Sequence, residues 1–338
     1  MTTDAAVQRR LFRVVVRCSL NAALSVAILL APPAVGAQSW PSKPIRMIVP
    51  GAAGASTDLL GRLTAQALSE RLSVPVVVEN RAGASGIIGV DVVAHAVPDG
   101  YTLLWTGQDT QILVPLTRKN LPYDINRDLT PIAKVGDLYM LLAVNPAFPV
   151  KTMQELVARA KASPGSIKFS SSGEGGINHL MVELLKERAD IDLLHVPYKG
   201  GAPAVQALLA GDVDLYGGST TNLASLVGSN RLRGLAIAKP TRDTSMPDVP
   251  TMAEAGYPNF VVSAWFGLYA PAGLPQHIAE RLSSAVVSIA SSPEFAAKFA
   301  KAGAETAPLA RGAFAKYVAE DTSRWRGVIE AAGIKPSE

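Results

Sequence analysis

Short apolar runs alternate with amphipathic stretches from residue 45 onward. The segments 45–49, 74–78, 101–105, 167–169, 193–196, 213–216 and 235–238 are brief, rich in apolar side chains and bounded by turn residues, which predicts strands. Between them Leu60, Leu63, Ala67 and Leu68 fall on one helical face, as do Leu180, Met181, Leu184 and Leu185, and again Val205, Leu208 and Leu209. This alternation predicts an α/β protein with mostly parallel sheets. From Pro275 the pattern turns helical: Ile278, Leu282, Val286 and Ile289 mark one helix, and Pro293 opens another at its first position. No strand signal returns after Tyr269. No short-period repeat and no low-complexity linker interrupts the chain, so two lobes joined by more than one short crossing are expected.

Two of the predicted strand-to-helix turns are glycine-rich: Gly51-Ala-Ala-Gly-Ala-Ser-Thr-Asp58 and Ser170-Ser-Ser-Gly-Glu-Gly-Gly-Ile-Asn-His179. Such a turn aims unpaired backbone N–H groups and the positive end of a helix dipole at one small volume, which makes it a candidate anion cradle. Two cradles in different lobes would form a clamp. Ser56, Thr57 and Asp58 add an N-cap and first-turn side chains, and Ser170, Ser171 and Ser172 add hydroxyls beside the second cradle. An inward Asp58 would repel an anion, so its expected place is capping its own helix or holding a bridging water. Thr106-Gly-Gln-Asp-Thr110 follows another strand at its carboxyl end, where open α/β sheets collect ligands.

The N-terminal segment changes what the composition means. Arg9, Arg10, Arg13 and Arg17 precede an apolar run from Cys18 to Ala31, then Pro32 and Pro33, then Val35-Gly36-Ala37. This is the pattern of a secretory leader cleaved after Ala37, leaving Gln38 first in an exported, periplasmic chain. Arg9-Arg10-Leu11-Phe12 resembles a twin-arginine signal, but Gln8 and Arg13 depart from it, and general secretion is the default. Four arginines and one aspartate of the leader account for +3 of the +4 net charge. The remaining chain carries +1, without a basic run interleaved with aromatics, which argues against a nucleic-acid surface. Cys18 is the only cysteine, so the mature chain has no thiol or disulfide chemistry.

Enzyme signatures are missing: there is no G-x-S-x-G elbow, P-loop lysine, G-x-G-x-x-G fingerprint or H-E-x-x-H. His95, His179, His195 and His277 lack metal-ligand spacing, and neither a metal nor a cofactor is expected. His179 has three readings: a catalytic group with Ser171 or Ser172 as nucleophile and Asp58 as orienter, a residue that caps or packs the first turn of its helix, or a direct ligand contact.

An ordered set of motifs resembles the tripartite tricarboxylate transporter solute receptors, also called Bug-type receptors. It comprises Lys43-Pro-Ile-Arg-Met-Ile-Val-Pro50 with its glycine loop, Val78-Glu-Asn-Arg-Ala-Gly-Ala84, Pro98-Asp-Gly-Tyr-Thr-Leu-Leu104, and Ser171-Ser-Gly-Glu-Gly175 through His179-Leu180. His195-Val-Pro-Tyr-Lys-Gly200, Pro247-Asp-Val-Pro-Thr251 with Glu254-Ala-Gly256, and Ala264-Trp-Phe-Gly-Leu-Tyr-Ala-Pro-Ala-Gly273 complete it. The resemblance implies a two-lobed type II periplasmic-binding-protein fold with a ligand cleft between lobes. It places residues 38–140 and 261–338 in one lobe and 141–260 in the other, with crossings near 138–144 and 261–269.

The resemblance further implies a non-enzymatic, monomeric receptor, not itself membrane-spanning, that binds a small organic carboxylate and delivers it to integral membrane transporter subunits. The alternatives are a ligand-presenting module for a membrane sensor and a periplasmic hydrolase. The carboxylate would lie on Gly54, Ala55, Ser56, Thr57 and Asp58 from one loop and Ser171, Ser172, Gly173 and Gly175 from the other, partly through water, with Thr106 nearby. Gly176 and Ile177 stand where the family often has hydroxyl residues, and Gly217-Gly218 where it often has Asp or Asn. No acidic partner for a ligand ammonium is therefore evident, and the departures favour an aromatic or partly apolar monocarboxylate walled by Tyr198 or Trp265.

Overall fold

A single long strand organises the molecule. In the computed structural model, which describes residues 40–337, β4 (Leu129–Val144) runs for 16 residues and changes partners partway along. The leader, Cys18 and the Ala37/Gln38 junction lie outside the described residues.

The other strands are β1 (Ile45–Val49), β2 (Val76–Asn80), β3 (Thr102–Gly107), β5 (Lys168–Ser171), β6 (Leu194–Pro197), β7 (Leu215–Ser219), β8 (Arg233–Ile237), β9 (Ser263–Pro271) and β10 (Glu305–Ala310). They join in the order β2-β1-β3-β9-β4-β7-β5-β6, with β8 and β10 also paired to β4. From Leu129 to Tyr139, β4 pairs with β9; from Met140 to Val144 it pairs with β7 and β8. One strand thus belongs to both halves of a two-lobed α/β fold. The return passage is brief: the N–H of Val262 donates to the carbonyl of Ala238, and the N–H of Met140 to that of Val262.

The side chains of the shared strand explain its apolar sequence. Met140, Leu142 and Val144 enter one core cluster, whereas Leu141 and Ala143 enter another on the opposite face. Covered on both faces, this stretch reads as a continuous apolar run instead of an alternating one.

Two expectations need correction. The sheet is less parallel than the alternation suggested, because β1–β2, β1–β3, β5–β6 and β5–β7 are parallel but every pairing of β4 is antiparallel. A strand also forms after Tyr269: β10 pairs with the first half of β4 across a bulge. Its sequence, Glu-Thr-Ala-Pro-Leu-Ala, has no two-residue alternation, and its place comes from the edge that β4 offers.

The predicted helices form. Ser56–Leu72 follows the first glycine turn, Ile177–Ala189 the second, and Ile278, Leu282, Val286 and Ile289 are all buried on Gln276–Ala290. Pro293 opens Pro293–Lys301, where the Ser292 hydroxyl accepts from the N–H of Phe295. No helix among the described residues is long and apolar enough to cross a membrane.

Candidate functional site

The two glycine turns come from opposite halves of the sheet and meet at one cleft of about 630 Å³. Thr57, in the first turn of the Ser56–Leu72 helix, lines one side, and Ser172 through Asn178 line the other. The backbone N–H groups of Ser56, Thr57 and Asp58 have no acceptor in the described chain, and neither do those of Gly176, Ile177 and Asn178. These are the orphan donors that any helix start leaves, here gathered from two helices toward one space. The end of β3 and the helical segment that follows it add Thr106, Gly107, Gln108, Asp109 and Thr110 to the lining.

The turns are held differently. In the first, the carboxylate of Asp58 accepts from the N–H of Gly54 at 2.8 Å, from Arg62 at 3.0 Å and from Asn80 at 2.9 Å. Burial pushes the Asp58 carboxyl up, but these donors together bring it below its usual value. The bonds turn the charge back into its own loop, and they also consume the Gly54 N–H. The Nε1–H of Trp105 donates to the carbonyl of Thr57 at 2.9 Å and ties the loop to β3.

In the second turn the brace is aromatic and largely buried. His179 and His195 stack with ring centroids 3.8 Å apart, and Phe169 stacks on His195. Nδ1 of His179 accepts from the N–H of Gly175 at 3.1 Å, so its proton sits on Nε2, facing Glu183. Nε2 of His195 lies 2.6 Å from the Ser171 hydroxyl, which also accepts from the N–H of Gly173 at 3.2 Å and donates to the Gly173 carbonyl. Burial, and secondarily the neighbouring His179, push His195 down to about 4, so it is neutral at neutral pH.

The site residues expected from sequence separate into two groups. Thr57, Thr106, Ser172, Gly173, Gly175, Gly176 and Trp265 line the cleft. Gly54, Ala55, Ser56, Asp58, Ser171 and Tyr198 do not; Asp58 and Ser171 lie behind the surface and brace the loops. Trp265 is wholly buried, and its Nε1–H donates to Asp321 at 2.9 Å. Tyr198 packs partly against the second core cluster. The apolar wall comes from Phe266, which stacks on Trp105 at 6.2 Å, and from Ile177.

A Ser–His–Asp constellation is not assembled. Ser171 pairs with His195, Ser172 donates to Asn178 at 2.8 Å, and Asp58 is engaged in the other loop. Among the described residues no cluster of three or more His, Cys, Asp or Glu could hold a metal.

Gln108, Asp109 and Asn178 fall within segments picked out from the sequence without being named individually, whereas Ser85, Thr117, Arg118 and Lys335, which also line the cleft, were not singled out. Ser85 carried a faint signal: it follows the Arg81-Ala-Gly-Ala84 run and adopts a left-handed φ of 55°, unusual for serine.

Comparison with known proteins gives a consistent picture. The family model described as "Tripartite tricarboxylate transporter family receptor" matches residues 60–334. Protein BugT of Bordetella pertussis is 39% identical over 321 residues, covering 92% of this chain and 95% of its own. A solved periplasmic transporter is 38% identical with a TM-score of 0.74, covering 88% of this chain and 99% of that one. A protein of R. palustris, solved with adipate, is 31% identical with a TM-score of 0.76, covering 88% and 100%.

Proposed function

This chain belongs to the tripartite tricarboxylate transporter receptor family, and from that premise we propose that it is a periplasmic receptor for a small organic acid. The ligand carboxylate lies between the two glycine turns and receives hydrogen bonds from the free N–H groups of both helix starts, with water filling the remaining positions. The observation that carries this reading is that the donors Thr57, Gly176, Ile177 and Asn178, from opposite halves of the sheet, line one cleft. Each charge-assisted bond contributes roughly 1.5–3 kcal/mol, so a few of them support a micromolar complex of about 8 kcal/mol.

In this reading residues 38–140 with 261–338 make one lobe and 141–260 the other, and the partner change of β4 between Tyr139 and Met140 supports that division. The carboxylate bridges the lobes, and the closed monomer presents its cargo to the membrane subunits of a tripartite tricarboxylate-type transporter. Export with cleavage after Ala37 completes the proposal; the intact mass of periplasmic protein checks it, since a chain that retains Cys18 contradicts it.

The test of binding compares carboxylic acids with their own methyl esters by thermal shift and calorimetry. Acids should raise the melting temperature and esters should not; a binder at 100 times its dissociation constant adds about 2.7 kcal/mol. Equal stabilisation by acids and esters would remove the carboxylate from the account.

A further inference from the structure

The segment after β3 carries two acceptors without a donor beside a cleft that the two glycine turns line with backbone N–H groups and Glu174 with a further carboxylate. Gln108 is 1% exposed, and its Nε2 donates to the Asp321 carboxylate at 2.8 Å. That bond fixes the amide orientation, because only the NH₂ end can face a carboxylate. Its Oε1 is consequently a buried acceptor, and no donor in the described chain reaches it. A buried carbonyl oxygen without a partner is costly, because its lost hydration is not replaced.

The next residue also lacks a donor, but it is exposed to the cleft instead of buried. Asp109 lines the cleft, and no described residue offers its carboxylate a hydrogen bond or an ion pair. The side chain meets the water of the cleft, yet the surrounding walls desolvate it enough to push it up to about 6, with no cation close enough to offset the burial. It is still largely ionised at neutral pH. Arg118 and Lys335 also line the cleft but are themselves exposed, and Arg118 donates to the Ser337 hydroxyl at 3.1 Å.

Two adjacent acceptors without donors, opposite two clusters of donors without acceptors, describe a ligand with charges of both signs. We propose that this cleft takes an amino-carboxylate, with its carboxylate on the glycine turns and its protonated amine on Asp109, aided by Oε1 of Gln108. The inference rests on the carboxylate reading above and narrows it. A diacid would bring a second negative charge toward an uncompensated carboxylate, so Asp109 is the group that selects against diacids. The acidic partner that Gly217-Gly218 fails to provide stands on the other half of the molecule, and the apolar monocarboxylate favoured by sequence gives way to a zwitterion.

Calorimetry on the full-length mature protein with matched probes decides the matter: 4-aminobutyrate against succinate and butyrate, 6-aminohexanoate against adipate and hexanoate, and alanine against propanoate. In the wild type, the best amino-carboxylate should bind about tenfold or more tighter than the diacid or monoacid of its length. Asp109→Asn should remove that advantage and let the diacid compete, while Asp109→Glu should keep the amine preference. A wild type that prefers diacids, or an Asp109→Asn protein with an unchanged amine-to-diacid ratio, overturns the inference and leaves the carboxylate reading standing. If no carboxylate in any series binds, both fall. Circular dichroism and melting of Asp109→Asn check that the fold is retained, as expected for an isosteric change at a side chain facing the cleft.

Discussion

The two glycine turns present the same kind of donor to the same cleft but are supported by opposite physical means. The first is a surface loop in which residues 52–55 are exposed, and it is held by a carboxylate that collects donors from Gly54, Arg62 and Asn80. The second is held from behind by the Ser171 hydroxyl and by the rings of His195 and His179, which stack on each other and on Phe169. Asp58 is buried as well, but its partners Gly54 and Arg62 reach water, which satisfies whatever they lose. The second brace has no such relief, since each buried atom left without a partner stays desolvated. The second turn should therefore be the more rigid and the less forgiving of the pair.

The sharpest way to break that comparison is Gly175→Val. Gly175 has a φ of +76°, and a Cβ there would lie 3.0 Å from the Thr117 methyl across the cleft. A side chain would both strain the turn and occupy the anion's space, so affinity should fall about 100-fold or more. The fold should survive with a penalty of about 1–3 kcal/mol. Calorimetry showing affinity within a few-fold of wild type would refute the two-loop clamp.

Next in size is Ser171→Ala, which leaves the Gly173 N–H and Nε2 of His195 without their partner. A stability loss of about 1–3 kcal/mol and an affinity loss of about tenfold are expected in denaturant melts and calorimetry. Asp58→Ala, the matching change in the first turn, should cost only about 1 kcal/mol, because Gly54 is exposed and Arg62 is half-exposed, so water replaces the lost bonds. Affinity should stay within about threefold. If Asp58→Ala proves as damaging as Ser171→Ala, the contrast between the loops is wrong.

The smallest effect separates the loops by pH. His195 titrates near 6.5 when unfolded and near 4 when folded, so its contribution is present above pH 6.5 and lost as pH falls toward 4. The Asp58 carboxyl lies below 3.8 in the folded chain, so its contribution persists through that window. Melting temperatures should therefore fall less between pH 6.5 and 4 in His195→Gln than in wild type, whereas Asp58→Ala should follow the wild-type slope.

Much of this arrangement is legible locally. A glycine-rich turn before an amphipathic helix is a donor cluster whatever surrounds it, because the first turn of a helix always lacks acceptors for its N–H groups. Residues 51–58 and 170–179 could accordingly be picked from the sequence, as could the helix opened by Pro293. Asp58 was legible as a residue turned toward its own loop, although not as the partner of Gly54 and Asn80. Ser171 looked like a ligand contact but lies behind the surface, because a hydroxyl in a chain carries no mark of which neighbour it will find.

What the sequence determined by itself is therefore the set of parts: alternating strands and helices, two glycine turns that open helices, and the family motifs that join them. Tertiary structure decided which parts meet. The 16 residues of β4 serve both halves of the sheet, and that strand brings Thr57 and Ile177 to one space although 120 positions separate them. The same packing turns Nε2 of Gln108 onto Asp321, leaves its Oε1 without a donor and sets Asp109 in the cleft. Local propensities fix backbone geometry over a few residues, whereas a desolvated acceptor such as Oε1 of Gln108 exists only once distant segments have taken away its water.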